Sequence, residues 1–121
     1  MPEAKPKPTF DKSPPDLVER FTSVVAERPA ASIRKMFGYP AGFVNGNLAT
    51  GLYESTWFVR LSEPDAAELL AAGGGPFAPM PGRPMRGYTV MPPPIAGDPE
   101  AAGEWVDRAV EHVSTLPPKG S

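Results

Sequence analysis

"RKMFGYPAGFVNGNLATGLYESTWFVRL", residues 34–61, predicts a series of short antiparallel strands joined by tight turns. The Asn-Gly pair at 45–46 is a strong hairpin signal, because both residues tolerate positive φ. Residues 57–61 alternate between two sets of side chains, which is typical of a strand with one face in a core. A second turn at 54–55 divides the stretch further. Residues 34–61 therefore predict three or four strands in a meander.

Helices are predicted on both sides of these strands. Residues 13–28 place apolar side chains at helical spacing, with Ser13 as the N-cap ahead of a proline. A second helix begins after the N-cap Ser62 and ends at three glycines, and a third begins at 98–99. A short further strand begins at Phe77, a loop follows at 80–84, and residues 86–91 form another strand. The order predicts an α+β fold, with helices packed on one antiparallel sheet.

The length of 121 residues fits one domain. We expect that domain to cover residues 13–116. Proline is abundant, with 18 residues, and is concentrated at the start of the chain. Because such ends lack apolar periodicity, residues 1–12 and 117–121 are predicted to be disordered tails.

The composition excludes several classes of function. The chain has no cysteine, which excludes disulfides, a thiolate nucleophile and a cysteine metal site. It shows no signal peptide and no apolar run long enough to span a bilayer, so we expect a cytoplasmic protein without membrane contact. The net charge of -2 is atypical of a dedicated nucleic-acid binder.

No pattern of catalytic residues emerges. His112 is the chain's single histidine, and its position predicts the edge of the last helix's apolar face. The three glycines at 73–75 follow a helix and lack the Lys-Ser/Thr of a phosphate loop, so they indicate a helix end. We therefore expect no enzyme, no cofactor and no metal.

The charges separate by predicted element. Acidic residues concentrate on the helices, whereas the strands and one loop are basic. Cations with neighbouring aromatic and methionine side chains could form one binding surface. The alternative is that they are solvated charges on the wet face of a sheet, and that the 80–85 run is a tight strand connection. The candidate binding residues are Arg34, Lys35, Phe37, Tyr39, Arg60, Met80, Arg83 and Arg86.

Alternation along the first strand gives this candidate surface two sides. It sends Lys35 and Phe37 to one face, and Arg34 and Met36 to the other. Each face thus receives one cation and one apolar side chain, which is typical of a strand at a sheet margin.

Three segments resemble the N-terminal domain of the TfoX/Sxy family. They are "RKMFGYPAGFVNGNLATGLYESTWFVRLSE", "ELLAAGGGPFAPMPGRPMRGYTVMP" and "DPEAAGEWVDRAV", in the family's order, and the likeness covers roughly residues 17–113. The resemblance implies an α-β(3)-α-β(2)-α fold, similar to that of type-III-secretion chaperones. It also implies regulation, since the best-known members control natural competence together with a cyclic-AMP receptor protein. Those members carry a second, C-terminal domain, and we expect a stand-alone N-terminal domain here.

Together, the residues and the resemblance favour a non-enzymatic regulatory domain that binds a protein partner. Direct nucleic-acid binding by the same basic surface is the alternative, and salt dependence would distinguish the two. A small-molecule-binding or enzymatic domain is the lesser alternative. A homodimer through a sheet edge is compatible with the pattern but not required by it.

Overall fold

The computed structural model describes residues 13–36, 38–78 and 87–117. Phe37, Met80, Arg83 and Arg86 lie outside the described residues, as do both predicted tails except for Pro117. The elements are, in chain order, α1 (Pro15–Ala26), β1 (Ser32–Met36), β2 (Tyr39–Val44), β3 (Asn47–Tyr53), β4 (Thr56–Arg60), α2 (Glu63–Ala71), β5 (Gly75–Pro76), β6 (Tyr88–Val90), α3 (Pro93–Ala96) and α4 (Pro99–Ser114).

The strands form one antiparallel sheet in the order β1-β2-β3-β4-β6-β5. β1 to β4 are a meander, and β6 returns to pair with β4 after the chain has passed through α2 and β5. The predicted α+β class is confirmed. Four strands precede α2, one more than the resemblance implies, because the turn at Gly38 separates β1 from β2.

Two tight turns follow the sequence signals. Asn45 and Gly46 both adopt positive φ, 53° and 83°, and close the β2–β3 hairpin as predicted. Glu54 has a φ of 54° at the next turn. Within the β2–β3 hairpin the register shifts at Gly42/Phe43, which leaves Ala49 as an extra residue on β3.

The helices pack on one face of the sheet, here called the helix face. Phe21 of α1 meets Trp57 of β4 with ring centroids 5.3 Å apart, and both side chains are fully buried. Trp57 also donates its indole N–H to the hydroxyl of Thr50, at 2.9 Å. The polar atom of the largest core side chain is therefore satisfied inside the core.

Two helix starts agree with the sequence and one does not. Ser62 accepts a hydrogen bond from the Asp65 N–H, and Asp98 accepts one from the Glu100 N–H, as N-caps do. The prediction that Ser13 caps α1 is wrong. Its hydroxyl donates to the carbonyl of Glu54 at 2.6 Å, so it ties the start of α1 to the β3–β4 turn.

Arginines join the helices to one another. Arg28, just after α1, donates to both carboxylate oxygens of Asp107 on α4, at 2.8 and 3.2 Å. Arg108 on α4 donates to Asp65 and Glu68 of α2, at 3.3 and 2.9 Å. These carboxylates raise the pKa of Arg108 further, with the hydrogen bond to Glu68 as the main cause. Each arginine thus connects two helices of the layer.

Candidate interaction surface

The second face of the sheet, here called the open face, is covered by none of the described helices. Its side chains alternate with those of the helix face, since Phe58 stands between the core residues Trp57 and Val59. Cross-strand register places Arg34, Ala41, Gly51 and Phe58 in one row on this face.

Aromatic rings form a connected cluster on the open face. Phe58 stacks on Phe77 with centroids 4.2 Å apart, and both rings are nearly or fully buried. Tyr88 meets Phe58 edge-on at 5.7 Å, and Tyr53 meets Phe77 edge-on at 5.8 Å. Tyr39 joins through Tyr53, at 5.4 Å. These packed rings form an apolar layer on the open face, here called the aromatic floor.

Gly51 leaves the space that the Phe58 ring of the aromatic floor occupies. A Cβ on Gly51 would lie 2.7 Å from Cζ of Phe58 and 3.4 Å from Cβ of Ala41. Only a residue without a side chain lets the Phe58 ring cross β3 at this point. The position of Phe58 therefore depends on the glycine of the neighbouring strand.

Two arginines of the open face are each held over an aromatic ring. The guanidinium carbon of Arg34 lies 4.4 Å from the centroid of the Phe43 ring, and that of Arg60 lies 5.6 Å from that of Tyr88. Burial raises the pKa of the Tyr88 hydroxyl, and the Arg60 charge opposes part of that rise. β1 and β4 are three strand spacings apart, and Arg60 lies two residues beyond Phe58 of the Arg34 row, so the two backbones are roughly 16 Å apart.

No acidic residue occurs in any of the six described strands, which carry only the cations Arg34, Lys35 and Arg60. The ion pairs found in the described part of the chain instead involve Arg20, Arg28 and Arg108, in or beside the helices. The cations of the open face are therefore not neutralised by the strands that carry them.

The structure brings together only part of the predicted surface. Arg34 is exposed and Arg60 is half-buried, and both lie on the open face. Lys35 lies on the other side of β1, where it lines a hollow of about 280 Å³ with Ser13 and Val18 of the α1 region. Tyr39 is only 5% exposed. Its ring meets that of Tyr53, and it also packs with α1 residues in the core and lines the same hollow as Lys35.

The remaining candidates, Phe37, Met80, Arg83 and Arg86, lie outside the described residues. The last three fall between Ala78 and Gly87, which are both described. The carbonyl of Gly87 accepts a hydrogen bond from the Leu61 N–H at 3.0 Å, so Gly87 lies beside the end of β4.

The aromatic floor was not predicted from the sequence. Phe43, Tyr53, Phe58 and Phe77 were not among the candidates, although each shares a cluster or a cation contact with one that was. The available signal was an arginine and an aromatic residue on the same side of neighbouring strands. Using it requires the cross-strand register, in which Phe43 is opposite Ser32 and Tyr88 is opposite Arg60.

Comparison with known families agrees with this architecture. A family model of the TfoX N-terminal domain matches residues 23–113, most of the chain. The chain belongs to this family. The TfoX N-terminal domain is a regulatory domain related to competence regulators, and it is not a known enzyme family. No curated protein and no solved structure matches the chain significantly.

Two kinds of feature are absent from the part of this TfoX N-terminal domain that the structure describes. No three or more His, Asp or Glu side chains are grouped so that they could hold a metal ion. No helix in the same ranges combines the length and the apolar character needed to cross a membrane.

Proposed function

We propose that this TfoX N-terminal domain is a regulatory module that binds an acidic surface of a protein partner through its open face. The observation that carries the proposal is the pair Arg34 and Arg60. Both are cations held over rings on one face, and no strand of the described sheet supplies a carboxylate. Arginines that are already held over rings lose less conformational entropy on binding than free ones, and arginine is enriched at interfaces.

The state of the aromatic rings favours a protein over a nucleic acid. Phe58 is fully buried, and Phe77 and Tyr39 are each 5% exposed. A base stacks on an exposed ring face, which these three rings do not offer. Two arginines also make fewer phosphate contacts than strongly salt-dependent binders use.

The test is charge reversal on the open face. Tagged wild-type chain and the R60E and R34E/R60E variants would be incubated with extract of the source cells, and bound proteins quantified by mass spectrometry. We expect the amount of the proteins captured by wild type to fall about tenfold with R34E/R60E, because the introduced carboxylates repel an acidic partner surface. The predicted loop cations give a further variant, R83E/R86E, which we expect to weaken binding with little change in melting temperature.

The matched control is R20E, because it makes the same change of charge on the helix layer. Arg20 lies on α1, where it pairs with Asp16 at 3.7 Å. Proteins lost equally with R20E and R34E/R60E would contradict the proposal, as would proteins retained by every variant. Melting temperatures of all variants show that the folded chain is being compared.

Direct nucleic-acid binding is the second candidate, supported by the same two unneutralised arginines. Amide NMR spectra would be recorded while a short DNA duplex is added at low salt and at about 0.15 M salt. Shifts at Arg34, Arg60 and Tyr88 that survive the higher salt, together with loss of binding in R34E/R60E, would favour this candidate. No shifts would leave the protein partner as the proposal. Shifts lost at about 0.15 M salt would indicate only weak, non-specific phosphate contacts.

A further inference from the structure

β1 forms one end of the sheet and pairs only with β2 among the described strands. Three of its five residues are exposed, Ser32, Arg34 and Lys35. The opposite end of the sheet is the two-residue β5, whose Pro76 has no N–H to offer. β1 is therefore the sheet edge that has the length and the donors to accept another strand.

A proline determines which backbone groups of β1 point outward. Lys35 is opposite Pro40 of β2, and Pro40 cannot donate, so these two residues cannot exchange a pair of hydrogen bonds. In an antiparallel ladder hydrogen-bonded and non-hydrogen-bonded pairs alternate. Arg34 and Met36 therefore bond to β2, whereas Ile33 and Lys35 direct their N–H and C=O groups away from it.

No described residue takes up these outward groups. The hydrogen bonds of the loops and turns next to β1 join the Ala31 N–H to Arg28 and the Ser32 hydroxyl to Phe43. Neither involves the backbone of Ile33 or Lys35. The edge thus presents two residues that an added strand could bond in register.

The charges beside β1 determine which kind of strand can pair with this edge. Arg34 lies towards the open face and Lys35 towards the α1 side, so cations flank the edge on both sides. A second copy paired through its own β1 would bring cations against cations, which destabilises cross-strand pairs. A strand with two adjacent acidic residues would place one carboxylate near each cation, because neighbouring side chains point to opposite faces.

We propose that an extended acidic segment of a partner protein adds to β1 as a further strand, with two consecutive carboxylates facing Arg34 and Lys35. This inference deepens the proposed function by naming how part of the partner is held. An experiment can contradict the edge proposal without contradicting the open-face proposal, because Lys35 takes part only in the first and Arg60 only in the second.

The probe is a short capped peptide of Thr and Val with two adjacent glutamates at its centre, compared with its twin that carries two lysines. Each would be added to the labelled protein while amide NMR spectra and hydrogen exchange are recorded. We expect the glutamate peptide to shift residues 32–36 and to slow the exchange of the Ile33 and Lys35 amides. The lysine peptide should bind about tenfold more weakly.

Three variants test the two parts of the proposal. R34E/K35E should reverse the preference, so that the lysine peptide binds more tightly. K35A removes one charge and K35P removes the charge and the outward N–H, so K35P should bind the glutamate peptide several-fold more weakly than K35A. R60E should bind it as wild type does, which separates this test from that of the open face.

Other results would overturn the inference. They are equal binding of both peptides, an unchanged preference in R34E/K35E, or peptide-induced shifts at Arg60 and Tyr88 instead of β1. A wild-type dimer in sedimentation, with slowed exchange at Ile33 and Lys35 before any peptide is added, would show that a second copy occupies the edge. The charge-reversal variant keeps the test decisive even if K35P does not fold.

Discussion

Thr50 is a polar residue at the centre of the sheet, and it is fully buried. Its hydroxyl accepts the Trp57 indole N–H at 2.9 Å and donates to the Phe58 carbonyl at 2.8 Å. A buried hydroxyl is tolerated because both of its hydrogen-bonding functions are used. The sequence shows Thr50 as an ordinary strand residue, since only the folded register brings it to Trp57.

Replacing Thr50 by Val tests this arrangement. T50V keeps the shape but leaves the Trp57 N–H without an acceptor, so we expect a loss of about 1–3 kcal/mol in the free energy of unfolding. T50S keeps the hydroxyl and loses one methyl group, about 1 kcal/mol. Urea denaturation measures both. A T50V protein as stable as wild type would show that the hydrogen bonds contribute nothing.

Gly51 carries a second prediction at this scale. In G51A the new methyl group meets the Phe58 ring, which cannot move freely because it is stacked on Phe77. We expect destabilisation by about 1–3 kcal/mol, seen as a lower urea midpoint. G75A is the matched control, since Gly75 lies on the same sheet with nothing within 4 Å of its added Cβ. Equal effects of the two changes would refute the tight contact.

At the scale of elements, periodicity located α1, α2, α4, β1 to β4 and β6, because burial of one face imposes its pattern on the sequence. The strand predicted to begin at Phe77 is instead Gly75–Pro76, which is too short to show a period. Predictions of this kind were wrong where a side chain bonds to a different element from its own. Ser13 bonds to the Glu54 turn instead of capping α1. The short α3 was not predicted, since four residues after Pro92 are too few to show a helical period.

The hydrogen bonds between α1 and α4 depend on the planar guanidinium of Arg28, which has several N–H donors. Besides Asp107, its guanidinium donates to the carbonyls of Val24 and Gly103, at 2.7 and 3.1 Å. An ammonium cannot reach all of these acceptors at once, so R28K should lower the free energy of unfolding by about 1–2 kcal/mol. Most of this comes from the two carbonyls, because Asp107 is 61% exposed and its pairing is screened.

R20K is the control for the Arg28 prediction. Arg20 makes only a 3.4 Å bond to the Ala96 carbonyl and a 3.7 Å pair with Asp16. Thermal unfolding of both variants should show a clear drop in melting temperature for R28K and almost none for R20K. A similar small drop in both would mean that any cation suffices at position 28.

At the scale of the whole molecule, the sequence predicted the class and the layers but not the surface. The cations of the strands were visible, and alternation already separated Arg34 from Lys35. The Arg34–Phe43 contact depends on the register of β1 against β2, and the Arg60–Tyr88 contact depends on the return of β6 beside β4. The second is a long-range pairing, which local residue patterns do not encode.

Hydrogen exchange across the whole chain should show this architecture directly. Amides of β3 and β4, the two central strands of the sheet, should exchange slowest. Within β1, the amides of Arg34 and Met36 should exchange more slowly than those of Ile33 and Lys35, because only the former are bonded to β2. Uniform exchange along β1 would contradict the derived hydrogen-bond pattern, and the β3 amides serve as the internal reference.

The two tryptophans give the molecule built-in optical reporters of different regions. Trp57 packs against Phe21 in the core. The ring of Trp105 instead lies 4.3 Å from the Arg108 guanidinium, which links α4 to α2. Emission from Trp105 should therefore respond when α2 separates from α4, and emission from Trp57 only when the sheet itself opens. Single-tryptophan variants with Phe at the other position would let fluorescence follow the two events independently in one titration.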